Sequence, residues 1–156
     1  MSVNEKSHHR CLVVKFGGSS LADGENISRA GDSVIKEAMA GTKIVVVVSA
    51  MGKTTDNLIA VAQDACSGNL PLSELDDIIA MGERTSARIF AAALRAKGGK
   101  AVYLDPSNPD WPIITNESSG NAEPILPFCE RMIERSTRPL LDNGAIAVVS
   151  GFVGKT

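Results

Sequence analysis

Val13-Val14-Lys15-Phe16-Gly17-Gly18-Ser19-Ser20 gathers the residues of this 156-residue chain best suited to chemistry. Two β-branched residues favour extended backbone, Lys15 brings a point charge to the place where a strand should emerge, and Gly17-Gly18 lets successive N–H groups converge without Cβ interference. A cation beside converging amides binds phosphate oxygens. The same spacing suits a lysine that ends a strand before an ordinary tight turn. The choice between the two depends on residues further along.

Other chemistries find no support. Gly52-Lys53-Thr54 and Gly154-Lys155-Thr156 suggest a P-loop, but the glycine required five positions earlier is replaced by Val47 and Val149, inside predicted strands. No Gly-x-Gly-x-x-Gly follows a strand, and no Gly-x-Ser-x-Gly elbow is present. Cys11, Cys66 and Cys129 are odd in number and far apart, which argues against a disulfide framework or a thiolate zinc site. They read as reduced, mostly buried thiols. His8 and His9 beside Cys11 read as a frayed terminus, so no metal ligand is assigned.

The elements that must position Lys15 follow from periodicity. Residues 11–16 form an apolar run broken only by Lys15, the pattern of a strand covered on both faces. Asp23 can cap a helix in which Ile27, Ala30, Val34, Ile35, Ala38 and Met39 share one face, closed by Gly41. Ile44-Val45-Val46-Val47-Val48 is a buried strand ending in Ser49-Ala50-Met51-Gly52. Strand, helix and strand make a right-handed βαβ unit whose strand ends open on one edge, where such sheets bind ligands. A helix from Thr55 or Asp56 to Cys66 follows, then a long one from about Glu74 to Lys97 capped by Ser73. Gly82 interrupts the long helix, which predicts a bend or a close ligand. Residues 101–104 form a third strand, and 105–112, with three prolines and Trp111, form the best lid candidate. A short edge strand over 113–115, a helix over 127–141 and a last buried strand over 145–149 complete the chain.

Composition sets the outer limits. With 44% apolar residues the chain suffices for one buried domain, and a net charge of −2 with signs interspersed offers no basic stripe for nucleic acid. Residues 1–10 are polar, lack the apolar core of a signal peptide and read as a disordered extension. No apolar run approaches the ~18 residues of a membrane span. A cytoplasmic protein with small-molecule partners is expected, without membrane or nucleic-acid contact.

Four blocks in order across nearly the whole chain resemble aspartate kinases of the amino-acid kinase superfamily. Lys15-Phe16-Gly17-Gly18-Ser19-Ser20 is similar to the family's opening Lys-Phe-Gly-Gly-[Thr/Ser]-Ser. Val47-Val48-Ser49-Ala50-Met51-Gly52 leading to Thr55-Asp56-Asn57-Leu58 resembles its second loop, Met81-Gly82-Glu83-Arg84 with Ser86 its Gly-Glu helix, and Gly151-Phe152-Val153-Gly154 its Gly-Phe-x-Gly turn. The implied fold is α/β, a mostly parallel sheet with helices on both faces. The implied reaction is ATP-dependent phosphorylation of the aspartate β-carboxylate to 4-phospho-aspartate, the first step of lysine, threonine and methionine biosynthesis, with Mg2+.

Carried over by position, the resemblance makes Lys15 the electrostatic stabiliser of the transferring phosphate, cradled by the amides of Gly17, Gly18 and Ser19. Ser49, Ala50 and Thr55 would line the aspartate site, Glu83 would pair with its α-ammonium, and Phe152 would close over it. These roles fit phosphoryl transfer, in which positioning and charge stabilisation dominate. Outside the resemblance, Glu83 also suits a solvated helix position paired with Arg84 or Arg88, and Thr55 a helix N-cap.

Family members continue past this point into a Gly-Arg-Gly-Gly-Ser-Asp block and a nucleotide-binding half, whereas this sequence ends at Thr156. Residues 11–156 are therefore expected to be the amino-terminal, substrate-binding part of a kinase domain, inactive alone, from a protein that is a homo-oligomer when complete. Glutamate or N-acetylglutamate kinase is the alternative within the superfamily. A non-catalytic domain that binds a small anion or amino acid is the alternative outside it.

Overall fold

The computed structural model describes residues 10–118 and 120–155. Most of the predicted extension lies outside the described residues. Arg10 does not: its carbonyl accepts the Lys43 amide at 2.8 Å, so pairing to the sheet begins one residue earlier than expected.

Four strands, β1 (Cys11–Phe16), β2 (Lys43–Val48), β3 (Ala101–Leu104) and β4 (Ile146–Ser150), pair in parallel in the order β1-β2-β4-β3. Helices α1 (Gly24–Met39), α2 (Thr54–Ala65) and α3 (Leu72–Ala96) precede β3, and α4 (Leu126–Met132) and α5 (Arg138–Asp142) precede β4. The Asp23 carboxylate caps α1 by accepting the Asn26 amide at 2.8 Å.

One sheet face buries Ile44, Val46, Val48, Ile146 and Val148 against α1 and α3. The other packs Ala147, Val149 and Leu104 against Trp111 and Leu141. That second layer stops short of β1, where Val13 is 69% exposed, so the edge strand is half open and not covered on both faces as its apolar run implies. An uninterrupted apolar run specifies a strand but not how many faces are covered.

Further expectations are corrected. Ser73 lies inside α3 and does not cap it; the N-cap position is Pro71. Gly82 lies inside this 25-residue helix, which continues through it. Segment 105–112 is no lid: Asp105 and Trp111 are buried, the Trp111 indole donates to the Ile113 carbonyl at 2.7 Å, and the Ser136 hydroxyl donates to the Asp110 carbonyl at 2.9 Å. Of the cysteines only Cys129 is buried, while Cys11 and Cys66 are exposed, although all three are free. Residues 113–115 contribute isolated bridges, Ile114 to Lys155 and Thr115 to Pro124, and no strand. The 127–141 helix is α4 and α5 joined by a π-helical turn, Ile133–Thr137.

Candidate active site

The strands end at one level. Register sets Lys15 beside Val47, and sets Val48 beside both Phe16 and Ser150. The loops leaving β1, β2 and β4 are then tied together by backbone. The Ser49 amide donates to the Phe16 carbonyl at 3.0 Å, the Gly52 amide to the Gly18 carbonyl at 3.0 Å, and the Gly151 amide to the Val48 carbonyl at 2.8 Å.

This closeness explains the glycines. A Cβ at Gly18 would stand 2.7 Å from the Ala50 carbonyl oxygen, and one at Gly151 2.9 Å from that of Val48. The turn after β1 is not the left-handed nest that Gly17-Gly18 suggests. Gly17 is extended (φ −77°, ψ 167°), and Gly18–Leu21 is a 3-10 turn whose first amides have no partner within the turn. Glycine is required here for space, not for positive φ.

Lys15, exposed at the end of β1, places its ammonium 4.6 Å from the centre of the Phe152 ring. Phe152 is 81% exposed and adopts φ +53°, a left-handed backbone that costs a non-glycine residue on the order of 1 kcal/mol or more. Strain and exposure of this kind gather at binding sites.

Glu83 lies in α3 and is only 7% exposed. It is not the solvated residue paired with Arg84 or Arg88 that the helix pattern allows, since both arginines turn to Asp105. Burial pushes the Glu83 carboxyl up to about 7, against partial relief from the Ala50 backbone amide and the Lys15 charge. Its Oε2 has no hydrogen-bond partner in the described structure. A buried carboxylate with one unpartnered oxygen and a raised pKa suits a cationic ligand group. Gly82 explains how α3 comes so close: a Cβ there would stand 3.0 Å from the Ala50 Cβ and 3.4 Å from Thr54 Cγ2.

Lys15, Gly18, Ala50, Glu83 and Phe152 are thus brought to one edge. Gly17 and Ser19 occupy the same turn as Gly18, with Ser19 exposed. Ser49 contributes its amide to Phe16, and Thr55 sits half-buried in the first turn of α2. The hydroxyls of Ser19, Ser49 and Thr55 form no hydrogen bond with another described residue. Thr55 is not the N-cap of α2; that position is Lys53, with no side-chain cap. Its neighbour Thr54 takes the structural role, donating its hydroxyl to the Met51 carbonyl at 2.6 Å and facing Gly82.

Sequence reasoning missed Asp105 and the pairing of Arg84 and Arg88 with it. The signal was present in the i, i+4 spacing of two arginines just after Glu83, with an aspartate at the end of a strand. Among the described residues no group of three or more His, Cys, Asp or Glu is placed to hold a metal ion.

Residues 10–156 match the model of the amino acid kinase family. The chain belongs to that family. It is 41% identical over 147 residues to an aspartokinase of Geobacillus stearothermophilus, covering 93% of this chain but 34% of the relative. It is 38% identical over 143 residues to an aspartokinase of Mycolicibacterium smegmatis, covering 92% and 32%. This amino acid kinase segment therefore spans about a third of the length of the curated relatives it matches.

Solved structures agree. The aspartate kinase from Synechocystis superposes with a TM-score of 0.72 at 30% identity, over 92% of this chain and 22% of that one. Aspartokinase III from E. coli in complex with aspartate and ADP gives a TM-score of 0.80 over 93% of this chain and 41% of that one; at 22% identity the likeness concerns the fold. The expected α/β class with a mostly parallel sheet is thereby borne out.

Proposed function

We propose that this chain supplies the aspartate-binding and phosphate-facing part of an aspartate kinase. The observation that carries the reading is the pairing, at one edge of the sheet, of an exposed lysine with a buried carboxylate whose Oε2 is unpartnered. Identity of 36–41% to aspartokinases supports it.

In this reading Glu83 receives the α-ammonium of aspartate. Desolvation makes the empty carboxylate reluctant to ionise, and a bound cation relieves this, so binding and ionisation reinforce one another. Ala50, Ser49 and Thr55 line the amino acid, and the exposed Phe152 ring closes over it. The β-carboxylate oxygen then attacks the γ-phosphorus of ATP in line, forming an acyl phosphate and releasing ADP. Lys15 faces the transferred group and offsets the charge that builds on its oxygens. Gly17, Gly18 and Ser19 offer amide donors to the same phosphate from a turn too tight for a side chain at Gly18.

The lysine and the glycine turn fit a phosphate, whereas no cluster of metal-ligating residues occurs among those described, so none of them is assigned to Mg2+ and no step is routed through it. When bound, Mg2+ would offset negative charge on the phosphates. We assign it and the adenine pocket to a further part of the kinase, outside the third of the relatives' length that this segment matches. A cytoplasmic homo-oligomer acting at the start of lysine and threonine synthesis completes the proposal.

A panel of ATP-dependent assays tests it, using the protein that carries these residues together with the sequence that follows them. ADP release with aspartate, and none with glutamate or N-acetylglutamate, is the expected result. Turnover with either of the latter and not with aspartate would overturn the substrate. Micromolar aspartate binding without turnover would point to a binding module.

A further inference from the structure

Asp105, the residue after β3, is fully buried, and two arginines on successive turns of α3 converge on it. Arg88 Nη1 stands 2.5 Å from Oδ2, and Arg84 Nε 3.6 Å from Oδ1. Arg88 Nη1 also donates to the backbone carbonyl of Arg84 at 3.1 Å, and its guanidinium lies 4.6 Å from the centre of the Tyr103 ring. On its other side Asp105 Oδ1 accepts the amide of Ser107 at 2.8 Å and its hydroxyl at 2.5 Å. Arg84 Nε and Asp105 Oδ2 are buried without a hydrogen-bond partner, so the two arginines hold Asp105 as ion pairs, and these tie the helical turn that begins immediately after Glu83 to the end of β3.

The opposite side of the same turn is closely packed. Gly82 is packed so closely that an added methyl would sit 3.0 Å from the Ala50 Cβ. A helix held tangentially by Asp105 and radially by Ala50 cannot rotate about its axis without moving the Glu83 carboxylate. Ion pairing of a buried carboxylate is weak ground for stability but a good device for fixing one arrangement. Burial works to raise the Asp105 carboxyl, yet the Ser107 hydroxyl and amide, then the charges of Arg88 and Arg84, outweigh it, so it stays ionised near neutral pH.

We propose that Asp105 is a positioning residue: through Arg84 and Arg88 it sets the rotation of α3, and with it the placement of Glu83 toward the amino-acid substrate. The kinetic consequence rests on the aspartate-kinase reading; the structural coupling does not.

Two variants with opposite charge changes test it in the whole protein, Asp105→Asn and Arg88→Gln. Positioning predicts the same direction for both: KM for aspartate rises roughly tenfold, KM for ATP stays within about twofold, and kcat changes less than KM. Double substitution adds little, because the two act as one unit. A field effect on Glu83 would instead move the two variants in opposite directions and would overturn the proposal. So would a lowered melting temperature with KM for aspartate unchanged.

The second readout needs no turnover. A 13C-carboxyl titration of Glu83 should move down toward the ordinary carboxylate range in both variants, as α3 loosens from Ala50 and water reaches the group. An unmoved titration sinks the coupling even if the kinase assay succeeds. If no amino acid is phosphorylated but the titration moves in both variants, the coupling stands and the substrate reading falls.

Discussion

The Lys15 ammonium and the Phe152 ring come within 4.6 Å of one another although they lie 137 positions apart, at the end of β1 and on the loop leaving β4. This contact accounts for two otherwise costly features, a phenyl ring left 81% exposed and a left-handed backbone at a non-glycine residue. A cation over an exposed ring contributes about 0.5–1 kcal/mol. Phe152→Gly should relieve the backbone but forfeit that contact, leaving stability within about 1 kcal/mol of wild type while turnover falls, and Phe152→Tyr should retain both properties. Urea midpoints beside initial rates check this; a glycine variant as active as wild type would remove the ring from the mechanism.

Lys15 itself tests the phosphate reading. Lys15→Ala in the whole protein should lower kcat by at least ~100-fold, the size expected when a charge aimed at the transition state is lost. Stability should change little, because the side chain is exposed and rests on one ring. Turnover near wild type would exclude Lys15 from catalysis.

Glu83 predicts a pH dependence of defined sign. Its folded carboxyl lies near 7, above the ordinary 4.5, so between these values the folded state holds a proton that the unfolded state releases. The stability this provides is full below about 4.5 and is lost as pH rises to about 7, by on the order of 1–3 kcal/mol. Asp105 acts in the opposite sense, contributing above its ordinary range and losing that contribution as acid protonates it. Subtracting the curve of Glu83→Gln from that of the wild type isolates the first effect. A flat difference between pH 4.5 and 7.5 would mean the carboxylate is better solvated than its burial indicates. Aspartate binding should strengthen over the same interval as Glu83 ionises, and this too should vanish in Glu83→Gln.

Much of this arrangement was legible in the residues. Apolar periodicity located α1, α2, β2 and β4 to within a residue or two, because each pairs a strong pattern with a clear stop. The half-open face of β1 was not legible, since Val13 and Val14 look alike in sequence and only the second layer separates them. Segment 105–112 misled for a different reason. Prolines suggest an irregular loop, but Trp111 and Asp105 pack it down, and burial of that kind depends on contacts distant in sequence. In the site, Lys15 and Glu83 could be singled out by type and motif. The i, i+4 spacing of Arg84 and Arg88 marks one side of the Asp105 clamp but not its partner, because the pairing joins α3 to the end of β3 across the fold.

Gly82 and Gly18 separate two ways in which a missing side chain can matter. Alanine at Gly82 gains about 1 kcal/mol in helix propensity, and its methyl meets side-chain atoms, Ala50 Cβ at 3.0 Å, Thr54 Cγ2 at 3.4 Å and Leu58 Cδ1 at 3.6 Å. The last two lie on α2, which can yield, so Gly82→Ala should stay within about 1 kcal/mol of wild type while moving Glu83 and raising KM for aspartate. Alanine at Gly18 meets backbone, the Ala50 carbonyl oxygen at 2.7 Å and that of Gly52 at 3.2 Å, in a turn that gains nothing from helix propensity. Gly18→Ala should therefore cost roughly 1–3 kcal/mol and disturb the phosphate-facing turn. Urea midpoints of the two variants give the comparison. Equal losses would show that α3 cannot shift from Ala50, and that its position is fixed by packing before Asp105 contributes to it.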